Sequence, residues 1–379
     1  MDIFLILVVA MAGLLLMPAC RQTYDPPAIS NQAQHLVVEG FINNGGDSTI
    51  ITLTHTYLLQ ATAEVTPELH ATVSVEGKDN SVLPLVEIGK GSYGASLGPL
   101  TPGVPYRLHI KTTSGKEYLS DYVSQKNAPP IDSVNWIQSD TGIRIFVNTH
   151  DPLNNTRYYR WDYQETWEFF SPFTSDLILR PSDTTVIGRD STNVLIFHCW
   201  HHDQSTAIFL GSSARLSTDL ISLAPLLTIP AASQQISVEY SILVRQYALS
   251  AEAYAWWQNL QKNTELTGSI FGIQPTINNG NIHNTTDTND VVIGYIGVGT
   301  VQTKRIFISR DQVSNWHYLT DCEEYSIVNN KDSLYVSYER GELITGKAPY
   351  PDTTHYYTST KTCVDCTLTG SNQKPSYWP

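Results

Sequence analysis

The chain has 379 residues, with 41% apolar and 16% charged side chains and 23 Lys+Arg against 36 Asp+Glu. That length suits about two or three domains, each with its own core, and 10% aromatic residues exclude a disordered polymer. A net charge of -13 excludes a nucleic-acid partner, because a phosphate-binding surface needs clustered Lys and Arg.

Residues 3–17 are almost unbroken hydrophobics, including Ile3, Phe4, Leu5, Ile6, Leu7 and Leu14, Leu15, Leu16. The run is shorter than the ~20 residues that span a bilayer, so it reads as a signal-peptide core over 1–19. It ends in Met17-Pro18-Ala19-Cys20, a small residue before a cysteine, as in the lipobox of bacterial lipoproteins. Cys20 is therefore the predicted lipidation site. Acyl chains there would hold the protein on a membrane at roughly 0.8 kcal/mol per buried CH₂. Residues 20–33, polar and proline-containing, read as the tether.

From 34 to 128 the pattern is about seven short alternating strands with turn signals every 8–12 residues, an antiparallel sandwich signature. Examples are Thr49-Ile50-Ile51-Thr52-Leu53-Thr54 and Pro105-Tyr106-Arg107-Leu108-His109-Ile110. The order resembles transthyretin-like or carboxypeptidase-regulatory sandwich domains. Pro129-Pro130 marks the boundary, since tandem prolines cannot continue a ladder. The fold class predicted is mainly β, with this N-terminal sandwich followed by a second one, resembling fibronectin type III, over 129–379.

In that second domain, residues 158–169 form a strand rich in Tyr and Trp. Tyr159, Trp161, Tyr163 and Glu165 share one face, and Tyr158, Arg160, Asp162 and Gln164 share the other. Trp161 is the core candidate. A large insertion is predicted at about 171–290, with a long strand over 236–247 and one clear helix over 251–266, capped by Ser250. Val291-Val292-Ile293-Gly294-Tyr295-Ile296-Gly297-Val298 and Lys304-Arg305-Ile306-Phe307-Ile308 read as its closing strands. The last ~70 residues read as polar and irregular, fastened by cysteines.

Cys199, Cys322, Cys363 and Cys366 remain after the lipobox cysteine. An even number in an exported protein favours disulfides, with three pairings open. In His198-Cys199-Trp200-His201-His202 only alternate residues of a strand converge, so the run reads as a strand around a buried cysteine rather than a metal site. Glu323-Glu324 reads as solvated charge, and the Asn/Asp-rich stretch 278–290 as a surface loop that matches no calcium-loop spacing. No nucleophile elbow, phosphate loop, zinc-protease or dinucleotide motif appears, so no catalytic residue, metal or cofactor is predicted.

Several phrases carry a more specific resemblance. They include Leu36-Val37-Val38-Glu39-Gly40-Phe41-Ile42, Pro130-Ile131-Asp132-Ser133-Val134, Tyr158-Tyr159-Arg160-Trp161 and Tyr240-Ser241-Ile242-Leu243-Val244-Arg245-Gln246-Tyr247. Gly268-Ser269-Ile270-Phe271, Gln274-Pro275 and the final Cys363-to-Trp378 segment complete the order. The chain resembles the Bacteroidota lipoprotein family called domain-of-unknown-function family 4249. The resemblance implies secretion, a lipid anchor in the outer membrane, with the leaflet left open, and an accessory role beside a TonB-dependent transporter. It implies no catalytic residues. The alternatives are an autonomous glycan- or peptide-binding surface lipoprotein and an envelope hydrolase or metalloenzyme. For ligand contact the candidates are Trp136, Trp167, Trp256 and Trp316, with Trp378.

Overall fold

A computed structural model describes residues 35–56, 65–189, 195–265, 280–349, 352 and 354–379. The signal segment, Cys20, the tether and the 268–275 phrases lie outside the described residues. The chain is mainly β, and its described residues form two large apolar cores and two small ones.

The first core belongs to the N-terminal sheet. Leu36–Asn43 pairs antiparallel with Thr49–His55, which pairs in turn with Ser92–Ala95. Thr72–Gly77, Val82–Gly89, Tyr106–Lys111 and Glu117–Ser120 continue the sheet. Alternation decides the faces: Tyr106, Leu108 and Ile110 are buried, while Arg107 and His109 are half-buried on the other side. Leu36, Ile42, Ile51, Leu53 and Val75 join the same core at almost zero exposure.

The pattern places 291–298 among the closing strands of the second domain, and the structure differs. Val292–Ile293 and Val298–Gly299 pair in parallel with Leu36–Asn43, and Ile282–Asn284 pairs with Glu117–Ser120. An apolar run states that it is buried, not which sheet it joins, because pairing is set by tertiary contacts. Asn281 fixes the crossing: its amide donates to the Ile296 carbonyl and accepts from the Ile296 N–H, both at 2.9 Å. At Gly294 the backbone approaches so closely that a Cβ would lie 2.3 Å from the Val38 carbonyl oxygen.

The second core lies between two sheets. One holds Ile131–Ser139, Gly142–His150 and Leu220–Pro230; the other holds His198–Gln204, Tyr158–Phe170, Glu239–Ala248 and Val301–Ser309, with Phe209–Ser212 at its side. Ile143, Ile145 and Val147 of the first sheet meet Trp161, Tyr240, Ile242 and Val244 of the second. Trp161 is 1% exposed, as the strand pattern predicts. Its indole N–H donates to Gln246 at 2.8 Å, and the Gln246 amide donates to the Pro129 carbonyl at 2.7 Å and to Thr149. A buried polar group needs such partners.

The stretch predicted as an insertion at about 171–290 is not an excursion from this core. Its strands at 198–204, 220–230 and 239–248 supply interior and flanking positions of both sheets. Helix Ala251–Glu265 is present and capped, with the Ala253 N–H donating to the Ser250 hydroxyl at 3.1 Å.

The C-terminal region is more regular than its composition suggests. Tyr325–Val328, His355–Thr360 and Glu342–Lys347 form a sheet beside a second helix, Lys331–Glu339. A four-residue turn of helix, Lys361–Val364, follows. The Lys331–Glu339 helix starts where the Asn330 side chain accepts the Ser333 N–H at 2.8 Å. Leu334, Ile344 and Tyr356 make its small core, against Leu177, Leu179 and Val186 of the Leu177–Arg180 and Thr185–Gly188 hairpin.

Two disulfides fasten this region. Cys199 bonds Cys366, and Cys322 bonds Cys363, each with Cα atoms 5.8 Å apart. The neighbours Cys363 and Cys366 thus take different partners. Beyond Cys366 the chain pairs back on the Cys199 strand through Trp200 and Ser371.

Candidate functional site

Between the N-terminal sheet and the second body lies a cleft of about 710 Å³. That volume is in the range of small-ligand sites. Segments from across the chain build it, Gln204, Ser205, Thr206, Ala207 and Ile208 among them. The outward faces of Leu36–Asn43 and Thr49–His55 give one wall, with Glu39, Phe41 and Ile50. The outer face of the Tyr158–Phe170 and Glu239–Ala248 pair gives the other, with Arg160, Asp162, Leu243 and Arg245. The Ala251–Glu265 helix adds Trp256, Trp257 and Leu260, and the segment after Val292–Ile293 adds Tyr295.

Strand alternation delivers the polar wall. Trp161 and Tyr163 point into the core, so Arg160 and Asp162 point into the cleft. Register sets their neighbours: Arg160 stands opposite Tyr247, and Asp162 opposite Arg245. The Arg245 Nε donates to Asp162 Oδ1 at 2.5 Å, while Arg160 Nη2 is 3.6 Å from Asp162 Oδ2. The Arg160 guanidinium lies 4.1 Å over the Tyr247 ring and 4.4 Å over the Trp257 ring. Both contacts are cation–π interactions. Phe41 meets Tyr247 edge-on at 5.1 Å, and Trp256 meets Trp257 edge-on at 4.9 Å.

The electrostatics follow from this packing. Burial, then the neighbouring Asp162 charge, pushes the Tyr247 hydroxyl up to about 12, so that ring stays neutral. Burial works against the charge on Arg245, but Asp162 outweighs it and holds the guanidinium above its ordinary value. Burial also raises Tyr295. The site therefore offers fixed guanidinium donors beside neutral rings and an apolar wall. From Ile50 the exposed apolar surface continues across Gly94 to Val86 and Ile88, because Ile50 and Val86 both stand opposite Gly94.

The predicted tryptophans are mostly structural. Trp316 is 2% exposed and donates to the Ser233 carbonyl at 2.9 Å. Trp167 is buried, stacks on His201 at 4.2 Å and donates to Gln234. Trp378 is buried and donates to Glu168 at 3.0 Å. Trp136 is half-buried against the second core. Trp256 is the one of the five that lines the cleft, buried beneath Trp257. The residues absent from the prediction are Arg160, Asp162, Arg245 and Trp257. For Arg160 and Asp162 the signal was the outward-facing half of the 158–169 strand, a short charged row on a strand otherwise aromatic.

The His/Cys run is a strand, His198–Gln204, and Cys199 is consumed by its bond to Cys366. His198 contacts Glu168 at 2.6 Å, His201 contacts the Thr369 carbonyl and His202 contacts Thr166 at 2.9 Å. Among the described residues no group of three His, Cys, Asp or Glu side chains is placed to hold a metal. No helix among them is long and apolar enough to cross a membrane. Cys20 lies outside the described residues.

A search of curated proteins finds no match to the chain. Residues 21–305, which contain the strands of the N-terminal sheet, most of the second body and every side chain of the cleft, match the family described as Domain of unknown function (DUF4249), and the chain belongs to that family.

Proposed function

We propose that the protein is a lipid-anchored binding protein of the bacterial outer membrane, of Bacteroidota type, that acts beside a TonB-dependent transporter. The observation that carries the binding role is the cleft. A ligand-sized space is bounded by segments from across the chain, with Arg160 fixed over two aromatic rings at its wall. The anchor rests on the hydrophobic run before Ala19-Cys20, and the role is one of recognition rather than catalysis. The transthyretin-like and fibronectin-like comparisons of the two bodies belong to the same proposal. Such sandwiches commonly present loops and faces for recognition, and this is analogy.

The test is affinity purification of the tagged protein from native outer membranes in mild detergent. Recovery of a TonB-dependent transporter in fixed ratio is the expected result. Repeated recovery of the lipoprotein alone contradicts the accessory role. A second reading, autonomous capture of a glycan or peptide, draws on the half-buried Phe41, Trp257 and Tyr295 in the cleft. Ligand binding without transporter recovery selects it.

A further inference from the structure

We propose that the cleft receives a carboxylate carried on an apolar body, and that Arg160 is the residue that takes the carboxylate. This rests on the reading of the cleft as the ligand site and names the ligand's chemistry.

The argument starts with donors. A guanidinium carries five N–H donors in a planar fork that matches a carboxylate with two parallel bonds. Among the described residues, the Arg160 guanidinium donates no hydrogen bond; its nearest acidic atom, on Asp162, stands at 3.6 Å. That carboxylate is already engaged by Arg245 at 2.5 Å. Two arginines and one aspartate leave a net positive charge at this wall. Glu39 and Asp47 belong to the opposite wall and are exposed, so water and salt screen them. The Arg160 side chain is only 18% exposed and is held over two rings. Its geometry is thus fixed before any ligand arrives, which reduces the ordering cost of binding.

The body of the ligand follows from the remaining lining. Phe41, Ile50, Leu243, Leu260 and Ile293 give an apolar surface that extends outward to Val86 and Ile88. The rings deep in the cleft already give a face or an edge to Arg160 or to one another, which disfavours a sugar stacked on a bare ring. A carboxylate on an apolar body has two sources, the C-terminus of a short apolar peptide and a free acyl chain.

Calorimetric titration of the purified protein separates them. The probes are N-acetyl-Leu-Phe as free acid and as C-terminal amide, and octanoate against octanol. At least one acid should bind about tenfold or more tighter than its neutral partner, as expected for hydrogen bonds to a charged group. Selectivity confined to the peptide pair assigns a peptide terminus; selectivity confined to octanoate assigns an acyl chain. Arg160→Gln should abolish the selectivity, and Arg144→Gln, an exposed arginine of the other sheet, should keep it. Equal binding of acid and neutral partner by the wild-type protein, or no binding of either acid, overturns the proposal whatever the variants do. In that case transporter recovery, measured separately, still decides the accessory role.

Discussion

The guanidinium of Arg160 lies 4.4 Å over the indole of Trp257, so a strand of the second body and the Ala251–Glu265 helix meet through one cation–π contact. Tyr254 reinforces the join by packing on Tyr158 at 4.9 Å. Gln261 donates to the Ile208 carbonyl at 2.7 Å. The helix thereby becomes the roof of the cleft rather than a surface appendage. Trp257→Ala should cost about 2 kcal/mol, combining a lost ring contact and lost burial. Hydrogen exchange should show faster exchange across 251–265, with the Gly142–His150 strand unchanged. Unaltered exchange in the helix would show that Trp257 does not hold it.

Gln246 links three parts of the second body at zero exposure: Trp161, the Pro129 carbonyl and Thr149. Gln246→Leu keeps the volume but strands the Trp161 indole N–H and the Pro129 carbonyl in the core. An orphaned buried group costs about 1–3 kcal/mol. Urea unfolding should therefore show a loss of about 3 kcal/mol, and a loss below about 1 kcal/mol would mean that water or local movement satisfies those groups.

The two faces of the Tyr158–Phe170 strand were legible in the sequence because alternation is a local property. Tyr159, Trp161 and Tyr163 went to the core, and Arg160 and Asp162 to the other side. The Ser250 cap was legible for the same reason, since its hydrogen bond spans three residues. The cleft was not, because its walls come from residues 37–52, 160–162, 204–208, 243–247, 256–260 and 293–303, and no local pattern encodes which of these meet. The run at 291–298 read correctly as apolar strand but joined the N-terminal sheet, and Ile282–Asn284, read as part of a surface loop, is a buried strand of that sheet, both choices made by long-range pairing. The C-terminal sheet was hidden by polar composition: its small core rests on Leu334, Ile344 and Tyr356, with the rest supplied by a distant hairpin.

Glu165 is a buried carboxylate in the second core, with Tyr240 donating to it at 2.7 Å. Burial raises its pKa above the ordinary 4.5, against the opposing pull of the Tyr240 bond. A carboxyl whose folded pKa is raised binds its proton more tightly when folded. Its contribution to stability therefore falls as pH rises from about 4.5 through the folded value. Burial and Glu165 hold Tyr240 well above the usual tyrosine range, so the donor stays protonated throughout. Glu165→Gln should gain stability relative to wild type between pH 4 and pH 7. A difference that is flat with pH would contradict this account.

The disulfides close long loops, with sequence separations of 41 for Cys322–Cys363 and 167 for Cys199–Cys366. Loop-closure entropy assigns about 4 kcal/mol to the shorter one. Non-reducing peptide mapping should recover these two linkages and no Cys363–Cys366 bond. Replacing Cys199 and Cys366 by Ser should also release the segment around Trp200 and Ser371, seen as faster exchange at 198–204. Recovery of a Cys363–Cys366 peptide would contradict the pairing.

The most direct test of the cleft as the ligand site is hydrogen exchange on the full chain with and without saturating N-acetyl-Leu-Phe or octanoate. Added protection is predicted in the segments around 36–43, 158–164, 243–247 and 251–260, and its loss in Arg160→Gln. Protection confined to other strands, or none with either acid, would contradict the account.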